Sequence, residues 1–176
     1  MDQNVKKMVY LALLTALCTA ATMAIPIPTP GGGYLNAGDI VVVFSALLTG
    51  PVCGAVVSAF GSALADLFAG FAIYAPGTFL TKGAAALVIG LLFRYSSRRG
   101  AWAAAIAAII GELVMVIGYF AYEALFLGFG QGAAAGIPAN ILQAVAGVSG
   151  GLLLYHALMR IPQIRLFSER TMKKKR

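Results

Sequence analysis

Residues 101–127 read AWAAAIAAIIGELVMVIGYFAYEALFL, and the only charged side chains in this run are Glu112 and Glu123. A hydrocarbon layer about 30 Å thick requires roughly 20 apolar residues in a helix, so the run is long enough to cross a membrane at a tilt. The sequence predicts an all-α integral membrane protein, a bundle of six transmembrane helices. The other five helices are predicted over about residues 8–25, 39–48, 52–69, 75–93 and 133–159.

The overall composition supports a membrane protein. Of the 176 residues, 60% are hydrophobic and only 11% are charged, and the mean hydropathy is +0.88. Soluble domains are about 45–50% apolar and about 25% charged. A water-soluble domain of this length could not bury so much apolar surface. The low charge and the two cysteines also exclude a disordered chain and a disulfide-rich secreted module.

The distribution of charge predicts the orientation. The formal net charge is +7, with 13 basic and 6 acidic residues. Apart from Lys82, the basic residues lie before the first apolar run, in the 94–100 connection or in residues 160–176. Clusters of this kind orient a membrane protein rather than follow a nucleic-acid backbone. We therefore expect a single membrane domain over residues 1–176 with both termini in the cytoplasm, residues 160–176 being a basic cytoplasmic tail.

A long connection follows the first predicted helix. Residues 26–38 read PIPTPGGGYLNAG, and the prolines and glycines in it favour a loop. The segment is long for a connection within a bundle, and such loops are often functional. The charge distribution predicts that it faces the outside.

Ionisable residues within membrane spans are costly and are functional candidates for that reason. Glu112, Val116, Tyr119 and Glu123 follow helical spacing and therefore share one face. Together with polar residues of the neighbouring spans they predict an aromatic-lined pocket that opens outward and suits a small planar ligand. The ionisable residues of the predicted spans are Asp39, Asp66, Lys82, Glu112 and Glu123, and the uncharged candidates are Tyr34, Tyr74, Tyr119, Asn140 and Gln143.

Several of these residues also fit a purely structural role. Asp66 and Lys82 are as well explained by an ion pair that joins two helices. Asn140 and Gln143 fit interhelical hydrogen bonds, which contribute about 0.6 kcal/mol on average. The sequence lacks a phosphate-binding loop and any metal-binding or Ser-His-Asp motif, so no cofactor or metal is expected and any energy source must come from a partner.

Alanines recur at every fourth residue of the first predicted helix, at Ala12, Ala16 and Ala20. Such a stripe of small residues allows another helix backbone to approach closely. The partner is either a helix of the same bundle or another membrane protein.

The chain resembles the substrate-binding S component of energy-coupling factor (ECF) vitamin transporters, in the riboflavin-transporter-like branch. The resemblance covers about residues 7–159. It rests on the order and spacing of several stretches: the alanine stripe, YLNAGD at 34–39, ALADL at 63–67, YAP at 74–76 with Lys82, and GE at 111–112 through YE at 122–123.

The resemblance implies a six-helix receptor that binds a vitamin or its precursor from outside. It further implies docking through Ala12, Ala16 and Ala20 on a transmembrane coupling protein that joins two ATP-binding-cassette ATPases, with residues 26–38 as a lid, in a bacterial cell membrane. The candidate substrate-binding residues are then Asn36, Asp39, Tyr74, Lys82, Glu112, Tyr119, Glu123, Asn140 and Gln143.

The ligand class and two other functions remain open at this point. Acceptors, amides and an aromatic face suit a hydroxymethyl-bearing pyridine or pyrimidine better than a tricyclic flavin, although a flavin also uses stacking and amide hydrogen bonds. One alternative is an integral-membrane enzyme that uses Glu112 and Glu123 as acid and base. The other is an assembly subunit whose alanine stripe is its whole function.

Overall fold

The computed structural model describes residues 2–24, 26–29, 33–97 and 100–172. Within these residues the chain is almost entirely helical. Two short strands form a hairpin between the first two helices, and a 3-10 helix, Gly130–Gly136, precedes the sixth. The strands are β1 (Ile27–Pro28) and β2 (Tyr34–Leu35), and the helices are α1 (Gln3–Ala24), α2 (Gly38–Thr49), α3 (Pro51–Phe68), α4 (Ala75–Tyr95), α5 (Ala101–Leu125), α6 (Ile137–Leu158) and α7 (Pro162–Met172).

Five of the described segments are long and apolar enough to cross a membrane: α1, α3, α4, α5, and the 3-10 helix continued by α6. The remaining predicted span, α2, has only 12 residues, which makes it about 18 Å long. It lies at the centre of the bundle, in contact with α1, α3, α4, α6 and α7. All of its residues except Ile40 are buried. Neighbouring helices rather than lipid therefore surround this short helix.

Small residues allow α2 and α3 to approach each other closely. The chain reverses between these helices at Gly50, whose φ of 82° is a conformation that side chains other than glycine rarely adopt. Pro51 then begins α3, at the position where a missing backbone N–H costs nothing. At Gly54 an added Cβ would lie 2.6 Å from the Cα of Ala46, so α2 and α3 are in backbone contact at this point.

Apolar and polar residues occupy opposite halves of the bundle. The main apolar core lies between α2 and one end of the bundle. We call this end the basic end; it carries α7, the start of α1 and the end of α4. The core includes Leu47, Ile89, Phe93 and Tyr155. The buried charged residues of the described helices lie in the other half, toward the end with the β1–β2 hairpin. We call this the hairpin end.

The structure differs from the sequence analysis in two segments. Within residues 26–38, predicted as a loop, Ile27 pairs with Leu35 and Pro28 with Tyr34 in antiparallel register; residues 30–32 lie outside the described part. Within residues 160–176, predicted as a basic tail, residues 162–172 form α7, while residues 173–176 are not described. Helix α7 folds back onto the bundle because Phe167 packs on Tyr10, with ring centroids 4.6 Å apart.

A candidate ligand site at the hairpin end

A small polar cavity lies between the β1–β2 hairpin and the ends of α3, α4, α5 and α6. Its volume is about 30 Å³, enough for about two waters, because one water occupies roughly 10–15 Å³ on this measure. Two carboxylates, three tyrosines and one amide supply most of its polar surface. The residues that line it are Thr29, Gly33, Tyr34, Asp66, Tyr74, Thr78, Tyr119, Glu123, Gly136 and Asn140.

Tyr34 closes the cavity on the side of the hairpin. Its hydroxyl donates a hydrogen bond of 2.7 Å to Oδ1 of Asp66, and its ring packs on Phe71 with centroids 4.5 Å apart. Burial and the neighbouring Asp66 carboxylate raise the pKa of the Tyr34 phenol well above its ordinary value, since both disfavour a phenolate. Oδ2 of Asp66 is buried and has no hydrogen-bond partner.

Four further side chains form the opposite wall. The hydroxyls of Thr78 and Tyr119 lie 2.9 Å apart, within hydrogen-bond distance. The Tyr74 hydroxyl hydrogen-bonds to the Glu123 carboxylate. Burial first, and Glu123 second, raise the pKa of Tyr74 to about 12.

The Glu123 carboxylate keeps one oxygen available. Glu123 is 4% exposed, and its Oε2 has no hydrogen-bond partner. The glycine at 136 gives this oxygen room, because a Cβ there would lie 3.0 Å from it. The cavity is therefore bordered by two carboxylate oxygens, from Asp66 and Glu123, that can accept hydrogen bonds from a ligand.

A second polar cluster is buried among α2, α4, α5 and α6. Lys82 forms an ion pair with Oδ1 of Asp39, and both side chains are at most 2% exposed. Gln143 donates to Oδ2 of Asp39 over 2.6 Å and accepts a 3.0 Å hydrogen bond from the backbone N–H of Asn36. This cluster therefore ties the end of the hairpin segment to three helices.

Glu112 belongs to the same cluster. Both of its carboxylate oxygens are buried without a hydrogen-bond partner. The glycine at 147 allows α6 to fit against Asp39 and Glu112, because a Cβ there would lie 2.7 Å from Cβ of Asp39 and 3.2 Å from Oε1 of Glu112. The two polar regions meet at Lys82, whose Nζ lies 5.3 Å from the centre of the Tyr119 ring.

The structure thus separates the nine predicted site residues into two groups. Tyr74, Tyr119, Glu123 and Asn140 line the cavity. The predicted residues that do not line it are Asn36, Asp39, Lys82, Glu112 and Gln143.

One interpretation of the sequence is corrected, and two polar lining residues, Thr29 and Thr78, were not among the predicted site residues. The alternative that Asp66 pairs with Lys82 is wrong, because Lys82 pairs with Asp39 while Asp66 accepts from Tyr34. Asp66 lines the cavity instead. Thr78 also lines it and was not predicted, although it lies midway between Tyr74 and Lys82 at four-residue spacing, which places all three on one face of α4.

The alanine stripe lies on the outer surface of α1. Ala12, Ala16 and Ala20 are exposed, whereas Leu14 and Cys18 face the bundle. Contact between the stripe and another helix of this bundle, one of the two interpretations, is therefore not observed for these alanines.

A bundle of membrane-length helices that encloses a small polar cavity at one end defines an integral membrane protein that binds a small molecule. Residues 2–160 match the family model described as "ECF-type riboflavin transporter, S component". The chain belongs to this family, and it is accordingly the substrate-binding S component of a vitamin transporter. The family and the fold are those of transporter components rather than of enzymes.

Two curated relatives and one solved structure are similar to this chain. The thiamine precursor transporter HmpT of Lactococcus lactis subsp. cremoris is 32% identical over 148 residues, which is 83% of each chain. An uncharacterized protein of Pyrococcus woesei is 36% identical over 83% of this chain and 97% of its own length. The solved S component of a bacterial ECF transporter shares the fold, with a TM-score of 0.74 over 90% of this chain and 98% of that one, at 23% identity.

Proposed function

We propose that this S component captures a small heteroaromatic vitamin or vitamin precursor from outside the cell, of the pyridoxine or hydroxymethylpyrimidine type. It delivers the ligand by docking on a transmembrane coupling protein that carries two ATP-binding-cassette ATPases. The similarity to a relative named as a thiamine precursor transporter supports a pyrimidine in particular. A riboflavin-binding S component is the alternative within the same family.

The observation that carries this choice is the acidic lining of the cavity. Oδ2 of Asp66 and Oε2 of Glu123 are buried acceptors without a partner, and none of the described lining residues is basic. A carboxyl oxygen can accept hydrogen bonds, and a buried acceptor without a partner costs about 1–3 kcal/mol. A ligand with amino or hydroxyl donors satisfies both oxygens, and a donor-bearing pyrimidine or pyridine has such groups.

A flavin fits this lining less well. The pyrimidine-like edge of its ring system carries two carbonyl acceptors and one N–H, so much of that edge would face carboxylate oxygens. The flavin carbonyls would then lie against the carboxylate oxygens, and neither group can donate a hydrogen bond to the other. A tricyclic ring also requires a much larger displacement of the residues around a cavity of about 30 Å³.

Ligand binding requires the site to open, since the cavity in its present form holds only about two waters. We propose that the 26–38 segment acts as the lid. Opening would break the hydrogen bond from Tyr34 to Asp66 and separate the Tyr34 ring from Phe71. It would also release the backbone N–H of Asn36 from Gln143, whereas the Lys82–Asp39 ion pair joins two helices and would remain.

We propose that this subunit docks on its coupling protein through α1. Ala12, Ala16 and Ala20 form an exposed surface without bulky side chains, which lets a partner helix approach closely. This surface lies on the outside of the bundle, away from the cavity, so binding and docking are expected to be separable by mutation.

The proposed ligand class is tested by calorimetric titration of the purified protein with hydroxymethylpyrimidine, pyridoxine and riboflavin, after small molecules extracted from the protein have been identified by mass spectrometry. We expect saturable binding of the pyrimidine or of pyridoxine, and weaker or no binding of riboflavin. Preferential binding of riboflavin would overturn the ligand class and leave the family assignment standing. Chemical turnover of a bound compound would instead support the enzyme alternative.

A further inference from the structure

A second cavity lies at the basic end, between the last turns of α4 and α6 and one face of α7. Its volume is about 340 Å³, which makes it much larger than the cavity at the hairpin end. We call it the basic-end cavity. Its inner wall is apolar and is formed mainly by Phe93, Tyr155, Met159 and Met172. Phe93 and Tyr155 meet edge to face, with centroids 5.7 Å apart.

Helix α7 forms one wall of this cavity and is itself anchored on the rest of the bundle. Besides the contact between Phe167 and Tyr10, the Thr171 hydroxyl lies 3.4 Å from the backbone oxygen of Leu48. Met172 is 2% exposed, and its sulfur lies 2.8 Å from where a Cβ on Gly50 would be. The wall that α7 contributes is therefore anchored on α1, α2 and the α2–α3 turn.

The mouth of the cavity is charged. Arg165 and Glu169 line it and form an exposed ion pair with 3.1 Å between Nε and Oε1. An exposed pair of this kind contributes little energy, so Arg165 can exchange Glu169 for another anion at small cost. The described part of this end is strongly basic, because it holds two acidic residues, Asp2 and Glu169, and six basic ones: Lys6, Lys7, Arg94, Arg160, Arg165 and Arg170.

We propose that the basic-end cavity binds one anionic phospholipid of the membrane. Because α4 and α6 are membrane-length helices and the cavity lies at their ends, it is placed at the depth of the lipid headgroups. The apolar wall accommodates the first part of an acyl chain, and the lipid phosphate faces Arg165. A free anion would contact only the arginine, whereas a phospholipid would also cover the aromatic and methionine wall.

The bound lipid would join α7 to α4 and α6. Apart from its contacts with α1, α2 and the α2–α3 turn, α7 faces the basic-end cavity, with the exposed Leu166 on its outer side. A lipid held at this point fills the space between the helices and neutralises part of the positive charge. We therefore expect an anionic lipid to raise the thermal stability of the protein in detergent, by the mass action of a ligand that binds only the folded state.

The test is native mass spectrometry of the full chain in detergent, titrated with phosphatidylglycerol or with phosphatidylcholine of the same acyl chains. We expect one phosphatidylglycerol to be retained in preference. Arg165→Gln should weaken its retention roughly tenfold, as expected for the loss of a direct contact between charged groups. The matched control is Arg170→Gln, which removes the same charge from the same helix but does not line the cavity and should retain the lipid.

A second variant tests the apolar wall. Met159→Trp is expected to fill the cavity and to lower the retention of phosphatidylglycerol while the melting temperature without added lipid stays within a few degrees. Equal losses in Arg165→Gln and Arg170→Gln would mean diffuse attraction by the whole basic end and would overturn the site. Equal retention of the two lipids by the unaltered chain would overturn it as well.

Discussion

At the scale of single residues, the ion pair between Lys82 and Asp39 joins α4 to α2 inside the bundle. Both side chains are fully buried, and Gln143 satisfies the second carboxylate oxygen of Asp39. Removing one partner of a buried pair leaves the other charge uncompensated, which costs about 3–5 kcal/mol, whereas removing both partners together costs far less. The pair therefore contributes specificity to the packing of these two helices.

Lys82→Met is accordingly expected to lower the free energy of unfolding by about 3–5 kcal/mol. The double variant Lys82→Met with Asp39→Asn should recover most of this loss, because neither member of the pair is then left as an uncompensated charge. Denaturant unfolding in detergent, followed by circular dichroism, measures the difference. Lys6→Met is the control, since Lys6 is exposed on α1 and its replacement should leave stability unchanged. Additive losses in the double variant would contradict the pairing.

The two buried glutamates of α5 allow a sharper test of the ligand site. Glu123 borders the cavity, whereas Glu112 lies in the Asp39–Lys82 cluster. If Oε2 of Glu123 accepts a hydrogen bond from the ligand, Glu123→Gln should weaken binding roughly 10- to 100-fold, as expected for loss of a charged hydrogen bond. Glu112→Gln should change binding far less. Calorimetric titration with the ligand identified above measures both variants, and an equal or larger loss in Glu112→Gln would move the ligand to the deeper cluster.

The sequence predicted which polar residues are buried but not how they pair. Glu112, Tyr119 and Glu123 share a face of α5, as the helical spacing predicts, yet the first lies in a different polar cluster from the other two. The pairing of Lys82 with Asp39 rather than Asp66 depends on how α2 and α3 are positioned against α4. No spacing along the chain contains that information, because each partner lies on a different helix.

At the scale of helices, close approach depends on where glycine replaces a side chain. At Gly90 of α4, a Cβ would lie 2.5 Å from the backbone N and Cα of Pro51 at the start of α3. At Gly83 of the same helix, the atom nearest to an added Cβ would be the side-chain Cβ of Ala59, at 3.2 Å, and the nearest backbone atom would be the oxygen of Ala55, at 3.9 Å. A contact of 2.5 Å is far inside van der Waals distance, whereas one of 3.2 Å requires a shift of only a few tenths of an ångström, so Gly90 and Gly83 are not equivalent.

Gly90→Ala is therefore expected to destabilise the bundle by about 1–3 kcal/mol through overpacking. In Gly83→Ala the gain in helix propensity, about 0.5–1 kcal/mol, should offset a much smaller steric cost. Thermal unfolding of the two variants in the same detergent compares them directly. A Gly90→Ala variant as stable as the unaltered chain would show that α3 and α4 can separate at this contact without loss.

Helix α1 provides the prediction that separates docking from binding. Ala16→Trp puts a bulky side chain in the middle of the exposed stripe and should abolish uptake while the affinity for the ligand stays unchanged. Leu17→Trp is the control, because Leu17 is also exposed and lies about 100° further around the helix. Uptake by cells that also produce the coupling proteins is compared with titration of the purified variants. Normal uptake by Ala16→Trp would remove α1 from the docking surface.

The long apolar helices were predictable because a membrane span must satisfy all its backbone hydrogen bonds internally and face lipid. The predicted 75–93 and 101–127 spans correspond to Ala75–Tyr95 and Ala101–Leu125. Helix α7 was not predicted, because its sequence, PQIRLFSERTM, is polar overall and becomes ordered through Phe167 and Met172. Those contacts are with α1 and with the α2–α3 turn, far away along the chain.

At the scale of the whole molecule, polarity is distributed along the bundle axis. The described basic residues other than Lys82 lie toward the basic end, and the buried carboxylates lie toward the hairpin end. The excess of Lys and Arg in short loops and tails marks the cytoplasmic side of a membrane protein. We therefore propose that the hairpin faces the outside, so that the acidic cavity is reached from the medium.

This orientation is testable by cysteine labelling of intact cells with a membrane-impermeant maleimide. The parent variant carries Cys18→Ala and Cys53→Ala, which removes both native thiols. Ile27→Cys places a thiol on the exposed part of the hairpin, and Gly100→Cys places one in the connection between α4 and α5, where no atom lies within 4 Å of the added Cβ. We expect the first to be labelled in intact cells and the second only after permeabilisation. The reverse pattern would place the cavity on the cytoplasmic side, and capture of a ligand from outside would then be impossible for this chain, because the acidic cavity lies only beneath the hairpin.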